Sequence, residues 1–123
     1  MNFFSRFFLV ALLPFLLGCS PLRKAEEAIK DDILVSVPYG SDISDILNFL
    51  KVQKYKVDAV NEKTGFYDQR TKPAKITGSM FIRAEFGEYK NILSIATSVT
   101  VYFGFDENGK LTDIWVWKTT DAP

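Results

Sequence analysis

Carboxylate pairs are the residues whose spacing could support chemistry in this 123-residue chain, because two facing carboxylates can hydrolyse a glycoside. The four pairs are Glu26/Glu27, Asp31/Asp32, Asp42/Asp45 and Asp106/Glu107. The surrounding patterns place each pair on a helix surface, at a helix start or in a turn, where carboxylates are solvated. Asp106 and Asn108 have the spacing of calcium-loop ligands, but the later bidentate glutamate is missing. We therefore predict no metal, no cofactor and a hairpin turn at 106–109.

Other catalytic groups are scarce. The chain has no histidine, which removes the commonest general base and metal ligand. The sequence contains neither a glycine-rich phosphate loop nor a nucleophile elbow. Lys+Arg and Asp+Glu are equal at 15 each, so the excess of basic residues that binds nucleic acid is absent. We expect neither an enzyme nor a nucleic-acid-binding protein.

Cys19 is the only cysteine, and it follows an apolar run. Phe7–Leu17 is free of charged residues and contains Pro14. As a helix this run would span about 16 Å, which is short of the ~30 Å hydrocarbon core of a bilayer. A charged start at Arg6, a short apolar run and small residues at the exit are typical of a cleaved export signal. The alternative is an uncleaved anchor helix with an incidental cysteine.

The tetrapeptide Leu16-Leu17-Gly18-Cys19 resembles the lipobox of bacterial lipoproteins. The resemblance implies that residues 1–18 are removed and that Cys19 carries a diacylglyceryl group, usually with an amide-linked third chain. Residues 19–21 would then form an acylated tether to the membrane. Two or more acyl chains anchor a protein stably, whereas one chain binds reversibly. Ser20 implies, by similarity to enterobacterial sorting, an outer-membrane location facing the periplasm in a Gram-negative host.

Residues 22–123 have the pattern of a single α+β domain. Leu22–Leu34 has apolar residues at helical spacing, and a second helix should start at Ser41 or Asp42, both good N-caps. After this helix the apolar period changes to two, which predicts strands at 55–60, 76–86, 95–105 and 111–118, with a turn at 87–91. We therefore predict two N-terminal helices packed on a three- to four-stranded antiparallel meander sheet.

The segment at 61–75 is polar and contains Gly65 and Pro73. It is expected to form a long loop with a short extended piece at Phe66-Tyr67. A run of basic residues lies nearby, at Lys51, Lys54, Lys56 and Lys63. We expect this run to be a solvated face, and contact with an anionic lipid or glycan is the alternative.

Two further segments resemble the SmpA/OmlA-like lipoproteins. They are Pro38-Tyr-Gly-Ser-Asp-Ile-Ser-Asp-Ile-Leu47, at the start of the second helix, and Val101-Tyr-Phe-Gly-Phe-Asp-Glu-Asn-Gly-Lys-Leu111, at the final hairpin. Members of that family have a helix–helix–meander domain on an acylated cysteine, and the best-known ones are accessory subunits of the outer-membrane assembly machinery. The resemblance covers roughly residues 19–118, although Val52-Gln-Lys-Tyr55 replaces the family's Gly-x-Pro.

Aromatic residues on the predicted strands form the candidate partner-binding site. If Ile82, Val101 and Val116 face the helices, their strand neighbours project from the opposite face of the sheet. These neighbours are Phe81, Tyr102, Trp115 and Trp117, and Arg83 would lie among them within cation–π reach. Trp, Tyr and Arg are enriched at binding hot spots. The alternatives are that one or both tryptophans belong to the core, or that the 61–75 loop or the N-terminal helix covers this face.

Together these observations predict a membrane-anchored, non-catalytic envelope lipoprotein that binds another envelope protein or acts as a structural accessory. Outer-membrane assembly is the role that the family resemblance implies. The alternative function is a small inhibitor or protective lipoprotein that blocks an enzyme or toxin in the envelope.

Overall fold

The structure is a computed structural model that describes residues 21–120. They form a four-stranded antiparallel sheet with two helices on one face and a two-stranded ribbon against the other. The helices are α1 (Glu26–Ser36) and α2 (Ile43–Val52), preceded by a short 3-10 turn at Pro21–Arg23. The strands are β1 (Lys56–Asn61), β2 (Phe66–Asp68), β3 (Lys75–Thr77), β4 (Met80–Lys90), β5 (Ala96–Phe105) and β6 (Leu111–Thr120).

The predicted α+β class, with two N-terminal helices and an antiparallel sheet, is confirmed. The sheet has the order β1-β4-β5-β6, and β2 pairs only with β3. The predicted number of strands is therefore too small. β2 lies in the segment expected to be a loop, and β3 is a separate piece at the beginning of the strand expected at 76–86. Only β4, β5 and β6 are neighbours both in sequence and in the sheet, and the ribbon is inserted between β1 and β4.

Both helices bury one apolar stripe against the sheet. In α1 the buried residues are Ile29 and Ile33, and in α2 they are Ile46 and Leu50. At the start of α2 the backbone N–H of Asp42 donates to the Asp45 carboxylate over 3.1 Å, which satisfies a donor that the helix itself leaves free. Within residues 21–120, neither helix is long and apolar enough to cross a membrane.

Three expected boundaries were wrong, two of them for reasons of backbone conformation. The strand expected at 76–86 is divided at Gly78, whose φ of +80° ends the β3 ladder before β4 begins. The turn expected at 87–91 lies mostly within β4, because Gly87 (φ +130°) follows a β-bulge and the pairing with β5 continues to Lys90. The first helix begins at Glu26 rather than Leu22, which belongs to the preceding 3-10 turn.

The main core lies between the helices and the inner face of the sheet. Register places Ile82, Phe103 and Ile114 in one row across β4, β5 and β6, with Ala84, Val101 and Val116 in the next. All six side chains are buried. Because side chains alternate along a strand, the residues between them must point to the outer face of the sheet.

Candidate functional site on the outer face of the sheet

The outer aromatic cluster consists of Phe81, Tyr102, Trp115 and Trp117. Tyr102 lies directly opposite Trp115 across β5 and β6, with ring centroids 5.0 Å apart. Trp117 continues the stack at 5.4 Å from Trp115, and Phe81 lies 6.4 Å from Tyr102. These separations are those of interacting aromatic pairs. The structure therefore places the four aromatic side chains named from the sequence in one continuous cluster.

The ribbon of β2 and β3 covers part of this cluster. Phe66, on β2, is only 1% exposed, and its ring centroid lies 5.3 Å from Tyr102, 6.1 Å from Trp115 and 6.4 Å from Phe81. Trp115 is 9% exposed as a result. This half of the face is a second small core. Phe66 belongs to the 61–75 segment, which the sequence analysis had given as one alternative that would cover this face.

Two glycines allow the ribbon to lie this close to the sheet. Gly104, on β5, has no side chain at the place where the Phe66 ring sits, and a Cβ there would be 3.0 Å from that ring. Gly65 precedes β2, and a Cβ on it would overlap the backbone carbonyl oxygens of Thr77 and Gly78. Because backbone atoms cannot rotate away as a side chain can, Gly65 is required for the ribbon to close.

An ion pair between the buried Asp68 and the exposed Arg70, the Asp68–Arg70 clamp, fixes the ribbon to β6. Asp68 is 2% exposed, and its carboxylate accepts hydrogen bonds from Arg70 Nε and Nη2 at 2.9 and 2.8 Å and from the Thr77 hydroxyl at 2.6 Å. Arg70 also donates to the Asp113 carboxylate on β6 over 3.1 Å. The guanidinium lies 5.7 Å from the Trp115 ring centroid, so one side chain joins the ribbon, the edge strand and the aromatic cluster.

The clamp determines how Asp68 titrates. The hydrogen-bonded Arg70 guanidinium holds the pKa of the Asp68 carboxyl well below its usual range, against the opposing effect of burial, and Thr77 lowers it further. An aspartate whose pKa is lower in the folded than in the unfolded chain stabilises the fold at pH values above its pKa in the unfolded chain, about 3.9. That stabilisation is lost as the pH falls below this value toward the pKa of the folded state.

We expect Asp68→Asn to lower the free energy of unfolding by about 2 kcal/mol at pH 7, because a charged, buried partner of Arg70 is lost. The difference from the wild type should shrink as the pH falls below about 4. Urea unfolding at pH 7 and pH 3 measures both effects. The exposed residue Asp31 supplies a control, Asp31→Asn, which should follow the wild type. An equal loss for Asp68→Asn at both pH values would contradict the assigned titration.

Arg83 lies on the same face but has a different partner. Register places it opposite Tyr102, while its Nε lies 3.7 Å from the Asp58 carboxylate on β1. The guanidinium in cation–π range of the cluster belongs to Arg70, which lies within 6 Å of Phe66 and Trp115. Arg83 therefore contributes a positive charge at the border of the cluster.

The part of the face that the ribbon leaves open is the candidate docking patch. It comprises Tyr102 and Trp117, both half-buried, with Arg83, Glu85 and Thr100 between and beside them. Thr100 lies directly between Glu85 on β4 and Trp117 on β6. The open patch thus combines two aromatic rings with one charge of each sign.

The carboxylate pairs lie where the sequence placed them. Asp42 and Asp45 are at the start of α2, and Asp106 Oδ1 accepts from the backbone N–H groups of Asn108 and Lys110 in the β5–β6 turn. Among residues 21–120, no group of three or more His, Cys, Asp or Glu side chains could hold a metal ion. A shallow groove of about 140 Å³ beside the β6 edge has charged walls, formed by Glu26, Glu27, Lys30 and Arg70.

Sequence analysis missed the residues that cover the cluster. Asp68, Arg70 and Gly104 were not singled out, and Phe66 was named only as part of a short extended piece. Residues 61–75 were interpreted as a long loop, and their covering of the outer face was left as an alternative. In the structure Phe66-Tyr-Asp68 alternates buried, exposed and buried side chains, a pattern that the residue types Phe, Tyr and Asp do not reveal. Because Asp68 is buried, its carboxylate needs hydrogen-bonding partners, and the structure supplies them from Arg70 two residues away.

Cys19, the predicted lipid attachment site, lies outside the described residues, as do the predicted signal at 1–18 and most of the tether at 19–21. No protein-family model, curated protein or solved structure matches the chain. The lipoprotein resemblance and the role in outer-membrane assembly therefore stay predictions.

Proposed function

We propose that this chain is a lipid-anchored envelope protein whose α+β domain binds another envelope protein and has no catalytic role. The acyl chains on Cys19 would hold the domain at a membrane, and the open patch on the outer face would contact the partner. In a Gram-negative host the membrane would be the outer membrane, and the domain would face the periplasm.

The observation that carries the proposal is the small number of residues between Cys19 and the first described element of the domain. Pro21 already belongs to a 3-10 turn, and Leu22 packs against the core. Two residues span at most about 7 Å, so lipid on Cys19 would keep the domain next to the bilayer. Confining two proteins to one membrane raises their effective concentration, which favours a small binding module.

The composition of the open patch supports protein binding. Tyr102 and Trp117 offer large apolar area that is already ordered by stacking, so little conformational entropy is lost when a partner covers them. Arg83 and Glu85 add charges of both signs at the border. Buried aromatic anchors with a polar rim are the usual anatomy of a protein interface.

Affinity purification from detergent-solubilised membranes tests the proposal. We expect Trp117→Ala to weaken capture of the partner about 30-fold, the equivalent of a hot-spot loss of about 2 kcal/mol. Tyr39→Ala is the matched control, because Tyr39 is an exposed aromatic residue between α1 and α2 and lies outside the outer face. Glu85→Lys changes an exposed residue of the patch and should reduce capture without unfolding the chain.

The identity of the captured protein separates the candidate functions. Subunits of an outer-membrane assembly complex would support the accessory role. A hydrolase or a toxin would support the inhibitor or protective role instead. Recovery of no partner, or equal capture by the wild type and both patch variants, would contradict binding through the outer face.

A further inference from the structure

The β4–β5 hairpin ends in two apolar side chains that point into solvent. Ile92 is 98% exposed and Leu93 is 74% exposed, the two highest values among the large apolar residues of the described chain. Adjacent, largely exposed aliphatic residues at a loop tip are typical of a contact site, because exposed apolar surface is favoured only where something covers it. The pair is therefore the strongest indication of a contact outside the outer face.

The loop that carries this pair is closed by hydrogen bonds of Asn91. Asn91 Oδ1 accepts from the backbone N–H groups of Leu93 and Ile95 at 2.9 and 3.0 Å, and the Ser94 N–H donates to the Asn91 carbonyl. The side chains of Ile92 and Leu93 take no part in these bonds. Because Asn91 fixes the turn, the two side chains are free to contact a partner without refolding the loop.

The β4–β5 hairpin lies beside the N-terminal end of the described chain, at Pro21–Arg23. The Arg23 guanidinium donates to the Lys90 carbonyl over 2.8 Å, and Leu22 packs beside Gly87 on β4. Ile92 is two residues beyond Lys90, and Cys19 is two residues before Pro21 in the sequence. Because two residues span at most about 7 Å, a lipid on Cys19 would lie near the hairpin tip. The other sheet hairpin, at 106–109, lies at the opposite end of β5.

Basic and tyrosine side chains lie along the hairpin below the tip. Arg23 lies 4.9 Å from the Tyr89 ring centroid, and Lys118 Nζ lies 3.1 Å from the Tyr89 hydroxyl. Lys24 and Lys90 are exposed nearby. The acidic residues in this region are Glu88 and Asp32, and Asp32 forms an ion pair with Lys24. Apolar residues flanked by Tyr, Lys and Arg are typical of a surface that sits at the headgroup level of a bilayer.

We propose that Ile92 and Leu93 insert into the bilayer that holds Cys19, so that the domain has two contacts with the lipid and a fixed orientation. This inference rests on the proposed lipid anchor. It deepens that function, because a domain held at both points cannot rotate freely about its tether. The outer face would then be presented to partners at a constant angle.

Fluorescence of an environment-sensitive dye tests the insertion. Leu93→Cys and Asn108→Cys are expressed as full chains, labelled with NBD and reconstituted in vesicles that contain anionic phospholipid. Asn108 is the matched control, since it is an exposed residue at the tip of the opposite hairpin. A chain without an added cysteine reports any labelling of Cys19 itself. We expect dye at position 93 to lose its quenching by aqueous iodide and to be quenched by lipid-attached doxyl groups, whereas dye at position 108 shows the reverse.

The outcomes distinguish failure of the inference from failure of the anchor. Chain that does not float with the vesicles and is labelled at Cys19 would contradict the anchor. Chain that floats, with iodide quenching equal at positions 93 and 108, would overturn insertion alone. Protection from iodide without doxyl quenching would show that protein, such as a second copy, covers the tip and would also overturn it. Dye placed by Ile92→Cys should repeat the result at 93, which guards against a local effect of one substitution.

Discussion

Gly65→Ala should lower the free energy of unfolding by about 3 kcal/mol or more and expose Trp115 to solvent. A methyl group at this position overlaps the carbonyl oxygens of Thr77 and Gly78, which are backbone atoms held in the ribbon. Relief of the overlap requires β2 to separate from β3. Phe66 and the Asp68–Arg70 clamp would then leave the sheet together, because both are carried by the ribbon or its following loop.

The loss can be measured by urea unfolding and by acrylamide quenching in a Trp117→Phe background, where Trp115 is the only tryptophan. Thr64→Ala, at the exposed neighbouring residue, is the control and should leave both readouts unchanged. Gly104→Ala should give an intermediate loss of about 1–3 kcal/mol, since its Cβ meets an aromatic ring that can shift. Wild-type stability and quenching in Gly65→Ala would show that the ribbon does not hold the cluster closed.

Cys19→Ala should abolish processing and lipid labelling completely. The thioether to diacylglycerol requires the cysteine sulfur, and by resemblance to lipoproteins the cut before residue 19 follows acylation. The variant should therefore accumulate as precursor that retains residues 1–18. Radiolabelled palmitate incorporation and the mobility of the chain on a gel report the two effects separately.

Ser20→Ala provides the matched control for this experiment, because it changes the neighbouring small residue and keeps the sulfur. It should be processed and labelled as the wild type is. Lipid-labelled mature chain of normal size from Cys19→Ala would contradict the assignment of the anchor. The same result would remove the main support for a membrane-bound function.

The period of apolar residues was sufficient to predict the main layers of the fold. Helical spacing before residue 52 and alternation after residue 55 gave the two helices and the four long strands in the right order. The Asp106–Gly109 turn followed from its Asn-Gly sequence, which favours the positive φ that Gly109 adopts at +75°. These elements depend on interactions between residues that are close in the chain, so the sequence was sufficient to predict them.

The cover of the aromatic cluster depends on contacts between distant residues, and the sequence could not show them. Arg70 donates a hydrogen bond to Asp113, which is 43 positions away in the sequence. Gly104 leaves the space that Phe66 occupies, and these two residues are 38 positions apart. A strand with apolar residues on both faces also cannot reveal from its pattern which face is solvated. Alternation along β6 was sufficient to place Trp115 and Trp117 on one face of the sheet. Their different degrees of exposure could not be predicted, because they depend on the ribbon that covers Trp115.

The most direct test of lipid anchoring is the intact mass of the chain purified from bacterial membranes, followed by sequencing of its N-terminal peptide. The proposal predicts a chain that begins at Cys19, with added mass equal to a diacylglyceryl group and at most one further acyl chain. A chain that retains residues 1–18, or one that carries an unmodified thiol at Cys19, would contradict it.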